Sequence, residues 1–136
     1  MPGVLVDAGP LVALIERTDR NHDRAIAVLK ALTGPLTTVW PAFTEAMYLL
    51  RDSDRSQDAL WGILATGAVG FAELGTDDGP RMRALMQDHR DQPMDLADAA
   101  LVHVAERDGI HHIFTLDQRH FEVYRIHGRR RFLIVP

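Results

Sequence analysis

Residues 94 to 109 read MDLADAALVHVAERDG, and the alternation that begins on either side of them decides the fold. From Leu96 to Ala105 the stretch is apolar apart from Asp98 and His103. Asp95 stands where a helix takes its N-cap, and Gly109 stands where one stops. The stretch therefore predicts a buried helix that carries two carboxylates three residues apart, on one face. After it comes HHIFTL (111 to 116), a strand-like run, and before it DGPRMRALMQDHRD (78 to 91), a helix with its acids early.

The same alternation continues outward. VLVDA is a short buried strand, bounded by Gly9-Pro10, and PLVALIE (10 to 16) is a helix with proline near its start. NHDRAIAVLKAL is an amphipathic helix that ends before Gly34-Pro35. LTTVW is a strand, PAFTEAMYLLRD a helix, and SQDALWGILATG another, with Ser56 as N-cap and Gly67 as stop. AVGFAEL and RRFLIVP read as strands. Strands that alternate with helices of this length predict an α/β domain, with a mostly parallel sheet covered by helices on both faces. The 136 residues suit one domain, 1–136. Such sheets put their sites beyond the carboxyl ends of the strands.

Composition narrows the chemistry. The chain lacks cysteine, which excludes disulfides, thiolate nucleophiles and cysteine-containing zinc sites. The apolar N-terminus has no basic region and is interrupted by Asp7, so it does not read as a signal peptide; no run reaches the length of a membrane span. A cytoplasmic protein without a membrane partner is the expectation. The net charge of −4 argues against nucleic-acid binding by bulk charge. The cations are fourteen arginines and Lys30, with HGRRR (127 to 131) gathering three of the arginines. Either a general preference for arginine or forked contacts to phosphate accounts for that bias.

Four acids stand in apolar contexts. Asp7 follows the first strand, Glu45 is the one charge in VWPAFTEAMYLL, Asp98 has apolar neighbours on both sides, and Asp117 follows HHIFTL. Each has a plain structural role open to it. Asp7 and Asp95 can cap helices, Glu45 can pair with an arginine, and Asp117 can open a turn. Gathered at one sheet edge, however, they repel: two carboxylates about 4 Å apart cost roughly 4 kcal/mol at an effective dielectric near 20. No lysine lies nearby in sequence to offset this. A hard divalent cation, Mg²⁺ or Mn²⁺, would.

These acids and their surroundings resemble the PIN domain, specifically the VapC-type toxins of VapBC toxin–antitoxin modules. VLVDAGPLVAL resembles the family's opening strand with its first acid, and TEAMYLL the helix that carries its glutamate. DLADAALVHVAERDG resembles the segment with the third acid, and IFTLDQRHF the closing segment with Thr115, Asp117 and Phe121. The resemblance covers the whole chain. It departs at His120, where many members have a further aspartate, and at Ala8, where many have a hydroxyl. The resemblance implies a three-layer α/β/α sandwich and a metal-dependent endoribonuclease that cuts tRNA or ribosomal RNA. It also implies a cognate antitoxin and a homodimer. Asp7, Asp98 and Asp117 would be direct ligands of one or two ions, with Glu45 a ligand or the orienter of a water. Asp95 and Thr115 would be auxiliary. A metal-activated water would attack the phosphodiester and leave 5′-phosphate and 3′-hydroxyl ends.

Other classes fit less well. A phosphoacceptor receiver wants an acidic pair after the first strand and a late lysine, and an aspartate-nucleophile phosphatase wants D-x-D; this chain has a single Asp7 and only Lys30. An RNA-processing PIN nuclease outside a toxin–antitoxin module, or a PIN-like binding module, remains open. Histidine ligation is not expected, since Asp98 and His103 lie on different faces of their helix. Trp40, Trp61 and Phe71 read as core or interface residues.

Overall fold

Gly3 to Pro136 are described by the structure, a computed structural model; Met1 and Pro2 of the expected 1–136 domain lie outside the described residues. The elements run β1 (Val4–Val6), α1 (Ala8–Ile15), α2 (His22–Ala31), β2 (Leu36–Thr38), α3 (Trp40–Leu49) and α4 (Asp54–Ala65). Then come β3 (Gly70–Phe71), a 3₁₀ turn (Thr76–Asp78), α5 (Gly79–Asp88) and α6 (Leu96–Asp108). The chain ends with β4 (His112–Phe114), α7 (Gln118–Val123), β5 (Arg125–Ile126), β6 (Arg130–Arg131) and β7 (Leu133–Val135). Five strands form one sheet in the order β3-β2-β1-β4-β7, every neighbouring pair parallel. The expected α/β class with a mostly parallel sheet is therefore what the chain adopts.

Adjacent strand residues point to opposite faces of a sheet. In β4, Ile113 belongs to the larger apolar cluster, whereas Phe114 belongs to a second one, under Ala13 and Ala25 of α1 and α2. Both faces are thus covered, which is why these strands read as continuous apolar runs. The opening stretch forms α6, buried without interruption from Ala97 to Ala105. A helix buried on all sides needs no polar stripe, so its sequence shows none. Asp95 caps it by accepting the Asp98 N–H at 2.9 Å, and Gly109 ends it at φ 69°, a left-handed conformation that favours glycine.

Several expected boundaries shift. Helix α1 begins at Ala8 rather than Pro10, because the Asp7 carboxylate accepts the Ala8 N–H at 2.8 Å. Helix α4 is capped by Ser53, not Ser56; the Ser53 hydroxyl accepts the Ser56 N–H, and Ser56 donates instead to Glu16. AVGFAEL supplies only two strand residues, and RRFLIVP divides. Arg130–Arg131 pair antiparallel with β5, and only Leu133–Val135 join the main sheet. The division follows from His127 and Gly128, both at positive φ, which turn β5 back on β6 with Arg129 N–H donating to the Ile126 carbonyl.

Candidate functional site

Strands β1 and β4 are neighbours in space, but the chain reaches β4 only after building β2 and β3 on the far side of β1. The gap beyond their carboxyl ends is the switch point of the sheet, where ligands of open α/β folds bind. Asp7 leaves β1 there, with its N–H on the Phe114 carbonyl at 3.0 Å, and Thr115 and Asp117 leave β4 beside it. Asp98 arrives in the first turn of α6, and Glu45 from α3, which packs on both α1 and α6.

The four acids differ in burial. Asp7 and Asp98 are only 8% and 6% exposed, whereas Glu45 is exposed and the Asp117 side chain is 51% exposed. The expectation of four acids enclosed by apolar surroundings therefore holds for two. Glu45 and Asp117 instead line, with Asp7, an open cleft of about 370 Å³ whose rim includes Arg20 and Asn21. A cavity of about 600 Å³ beside α5 contains none of these acids.

Hydrogen bonds fix the buried pair. Asp7 uses Oδ1 to accept the Ala8 N–H and Oδ2 to accept the Thr115 hydroxyl at 3.0 Å; Thr115 in turn accepts the Asp117 N–H at 3.0 Å. Thr115 thus ties two of the acids together. Tyr124, fully buried, donates its hydroxyl to Asp98 Oδ2 at 2.8 Å. His120 sets Nδ1 at 3.0 Å from Asp117 Oδ2 and 3.7 Å from Asp98 Oδ2. Where a fifth acid was in question, a histidine joins two of the four. Sequence reasoning missed Tyr124 and Arg20. Tyr124, the residue just past α7, packs edge-on against Phe121 with ring centres 5.2 Å apart, and spacing alone reads it as core.

The electrostatics record a shared negative charge. Burial, then Asp95, pushes the Asp98 carboxyl up to about 7, against a smaller opposing effect of the Tyr124 hydrogen bond. Burial likewise raises Asp7, partly offset by Ala8 and Thr115, with Asp95 and Asp117 adding repulsion. Glu45 is raised by partial burial and by Asp7, Asp95 and Asp117. Burial and Asp98 raise the Tyr124 phenol, so it stays a donor. Asp95 therefore caps α6 and also charges the cluster. Among the described residues no three His, Asp or Glu side chains converge into a finished ligand cage. The donors are nevertheless all oxygen, mutually repelling and short of cations, the chemistry that suits a hard divalent ion.

Arg129, Arg130 and Arg131 do not border the site. Their hairpin is anchored by His127 N–H on Glu106 Oε2, eight residues along α6 from Asp98, or about 12 Å. Arg125 turns its guanidinium back onto the carbonyls of Glu122, Val123 and Tyr124. The cations that do line the acid cleft or the cavity beside it are Arg20 and Arg119. Of the two places expected for Trp40 and Trp61, core or interface, the core is ruled out: each is about half exposed, and Trp40 stacks on Phe71 with ring centres 3.8 Å apart. His103 binds Asp78 at 2.7 Å and takes no part in the acid cluster.

No protein-family model matches the chain. Ribonuclease VapC26 of Mycobacterium tuberculosis (strain ATCC 25618 / H37Rv) is 27% identical over 135 residues, 98% of this chain and 100% of that one. Among solved structures, Mycobacterium tuberculosis VapC20, described as a sarcin-ricin loop cleaving toxin, matches with a TM-score of 0.74 at 18% identity, over 82% of this chain and 87% of that one. A toxin–antitoxin complex from Klebsiella pneumoniae matches with a TM-score of 0.69 at 19% identity, over 98% and 97%. In sequence along nearly its whole length, and in fold, the chain is similar to the VapC-type PIN-domain proteins that its four acidic segments resemble.

Proposed function

We propose that this protein is a metal-dependent endoribonuclease and the toxin of a toxin–antitoxin pair. The observation that carries the reading is the cleft that Asp7, Glu45 and Asp117 share at the switch point of a VapC-like sheet, with Asp98 close enough to repel Asp7, the carboxyls of Asp7, Glu45 and Asp98 raised, and few cations. The ribonuclease name of one relative, and the toxin and toxin–antitoxin descriptions of two structural neighbours, support it. The substrate class is structured RNA, tRNA or ribosomal RNA.

Asp7, Asp98 and Asp117 would hold Mg²⁺ or Mn²⁺, and Glu45, on the open side of the cleft, would hold the ion or orient a water. Bound there, the ion would supply a more acidic water and positive charge beside the scissile phosphate. The chain's own part is positional. Thr115 fixes Asp7, Tyr124 fixes Asp98, and Arg20 offers the RNA backbone a positive contact at the cleft rim. The partner is a small antitoxin that covers this cleft. A homodimer would draw on the half-exposed Trp40 and Trp61, with the partly buried Phe71 stacked beneath Trp40. Among the described residues no helix is long and apolar enough to cross a membrane. The proposed working place, where such an enzyme would meet tRNA or ribosomal RNA, is the cytoplasm.

The test is to map RNA ends after induction of the wild type and of Asp98→Asn. New 5′-phosphate ends are expected with the wild type only. Asp95→Asn is expected to keep appreciable cleavage, because asparagine caps a helix about as well as aspartate. Equal loss in Asp95→Asn would move Asp95 into the ligand set. Tyr124→Phe removes the donor to Asp98 while keeping the buried ring. Partners of metal-binding side chains are worth about 10–100-fold in affinity, so Mn²⁺ should stabilise this variant only at correspondingly higher concentration, read from melting temperature.

A further inference from the structure

A second cavity, of about 470 Å³, shares Asp117 with the acid cleft. It is formed by Gln92 and Pro93, from the segment that precedes α6, and by α7 with Tyr124. Asp117 lines both cavities, and His120, which touches Asp117 and Asp98, lines this one. A ligand here and a phosphodiester at the acids would therefore be immediate neighbours. The volume falls in the range of roughly 300–1,000 Å³ usual for small-molecule sites.

The lining differs from that of the acid cleft. Where the cleft presents three carboxylates, this cavity presents one. Pro93 and Val123 give it apolar walls, and Val123 stays 48% exposed although nothing polar on it calls for water. Gln92 and Arg119 are exposed, and neither side chain is held by a hydrogen bond or ion pair among the described residues. An apolar slot with a free amide at its edge and a free guanidinium beside it suits one kind of ligand. A flat heteroaromatic ring packs on the walls, the amide donates to and accepts from the ring's edge, and the guanidinium forks onto a phosphate. A bare phosphate would use only Arg119.

We propose that this cavity is a nucleotide subsite, which takes an unpaired base of the RNA next to the scissile phosphate. Gln92 reads the base edge, Pro93 and Val123 pack on its face, and Arg119 holds the adjoining phosphate. The proposal deepens the nuclease reading by placing substrate selection at this one cavity. RNA bases are read by proteins mainly where they are unstacked, so a site of this shape selects loops over duplex.

The test uses the full ¹⁵N-labelled chain without metal, so that no cleavage is involved. AMP, GMP, CMP and UMP are each titrated to millimolar concentration, with ribose 5-phosphate and inorganic phosphate as controls. At least one nucleotide is expected to shift the amides of Gln92, Arg119 and Val123 saturably, and neither control to do so. Val123→Asp should weaken that binding by about tenfold or more, the scale of losing one base contact. Gln92→Ala, at an exposed loop position, should weaken it and narrow the differences between the four bases; it carries the test if Val123→Asp does not fold. Equal shifts with ribose 5-phosphate, no response to any nucleotide, or binding unchanged in both variants would overturn the proposal. A wild type that binds nucleotide in this way yet cuts no RNA would keep the subsite and sink the nuclease reading.

Discussion

Asp7→Asn is expected to end RNA cleavage, by more than about a hundredfold, and with it any growth arrest on induction. Both Asp7 oxygens are already committed, Oδ1 to the Ala8 N–H and Oδ2 to the Thr115 hydroxyl. Asparagine can keep the helix cap with its one oxygen, so α1 still starts in place. What it loses is the charge, and it presents an amide where a cation would need an oxygen. The variant should also remain bound to the proposed antitoxin when the two are co-expressed, since one buried carboxylate is a small part of an interface of ordinary size. The measurement is paired: growth curves and RNA end-mapping for function, and co-purification for the partner. Growth arrest that persists in Asp7→Asn would separate toxicity from this site and favour a PIN-like binding module.

The second large effect is on stability. The folded-state pKa of Asp98, about 7, lies above its ordinary value of 3.8, and Asp7 and Glu45 are raised as well. Between those two limits the folded protein binds more protons than the unfolded chain, so stability falls as pH rises. Metal-stripped protein is therefore expected to melt at a higher temperature near pH 5 than near pH 8. A bound divalent cation reverses the sign. It binds the ionised acids of the folded state only, so millimolar Mn²⁺ should raise the melting temperature most at pH 8, by about 5–10 °C if the ion is well above its dissociation constant. Asp98→Asn should flatten the pH dependence of the stripped protein and remove most of the Mn²⁺ gain. A melting temperature at pH 8 that ignores Mn²⁺ would argue strongly against a metal centre.

Much of the site was legible because its parts are local. A carboxylate directly after an apolar strand, or alone within an apolar helix, stands out without any knowledge of the fold. The cap at Asp95 and the stop at Gly109 are likewise set by a few neighbouring residues. Thr115 drew notice only through the resemblance of IFTLDQRHF to the family's closing segment; that its hydroxyl donates to Asp7 depends on β4 lying beside β1. The misplaced details are those that need partners distant in sequence. Ser56 looked like a cap until Ser53 took that place and Glu16, forty residues away, took the Ser56 hydroxyl. The arginines of 129 to 131 looked available for RNA until Glu106 pinned their hairpin to the far end of α6.

By itself, then, the sequence determined the alternation of strand and helix, the buried character of α6, and which four acids to watch. Periodicity, capping and burial preference act over a turn or two of chain, and they are written in neighbouring residues. Only the tertiary structure decided that Asp7 and Asp98 are buried while Glu45 and Asp117 stay open to an incoming ligand. It alone brought Tyr124 onto Asp98 and His120 between two acids, and opened a second cavity that shares Asp117 with the cleft. The reason is the sheet order. By inserting β2 and β3 before β4, the chain sets residue 7 beside residue 115, and electrostatic coupling depends on that distance in space, not on separation along the sequence.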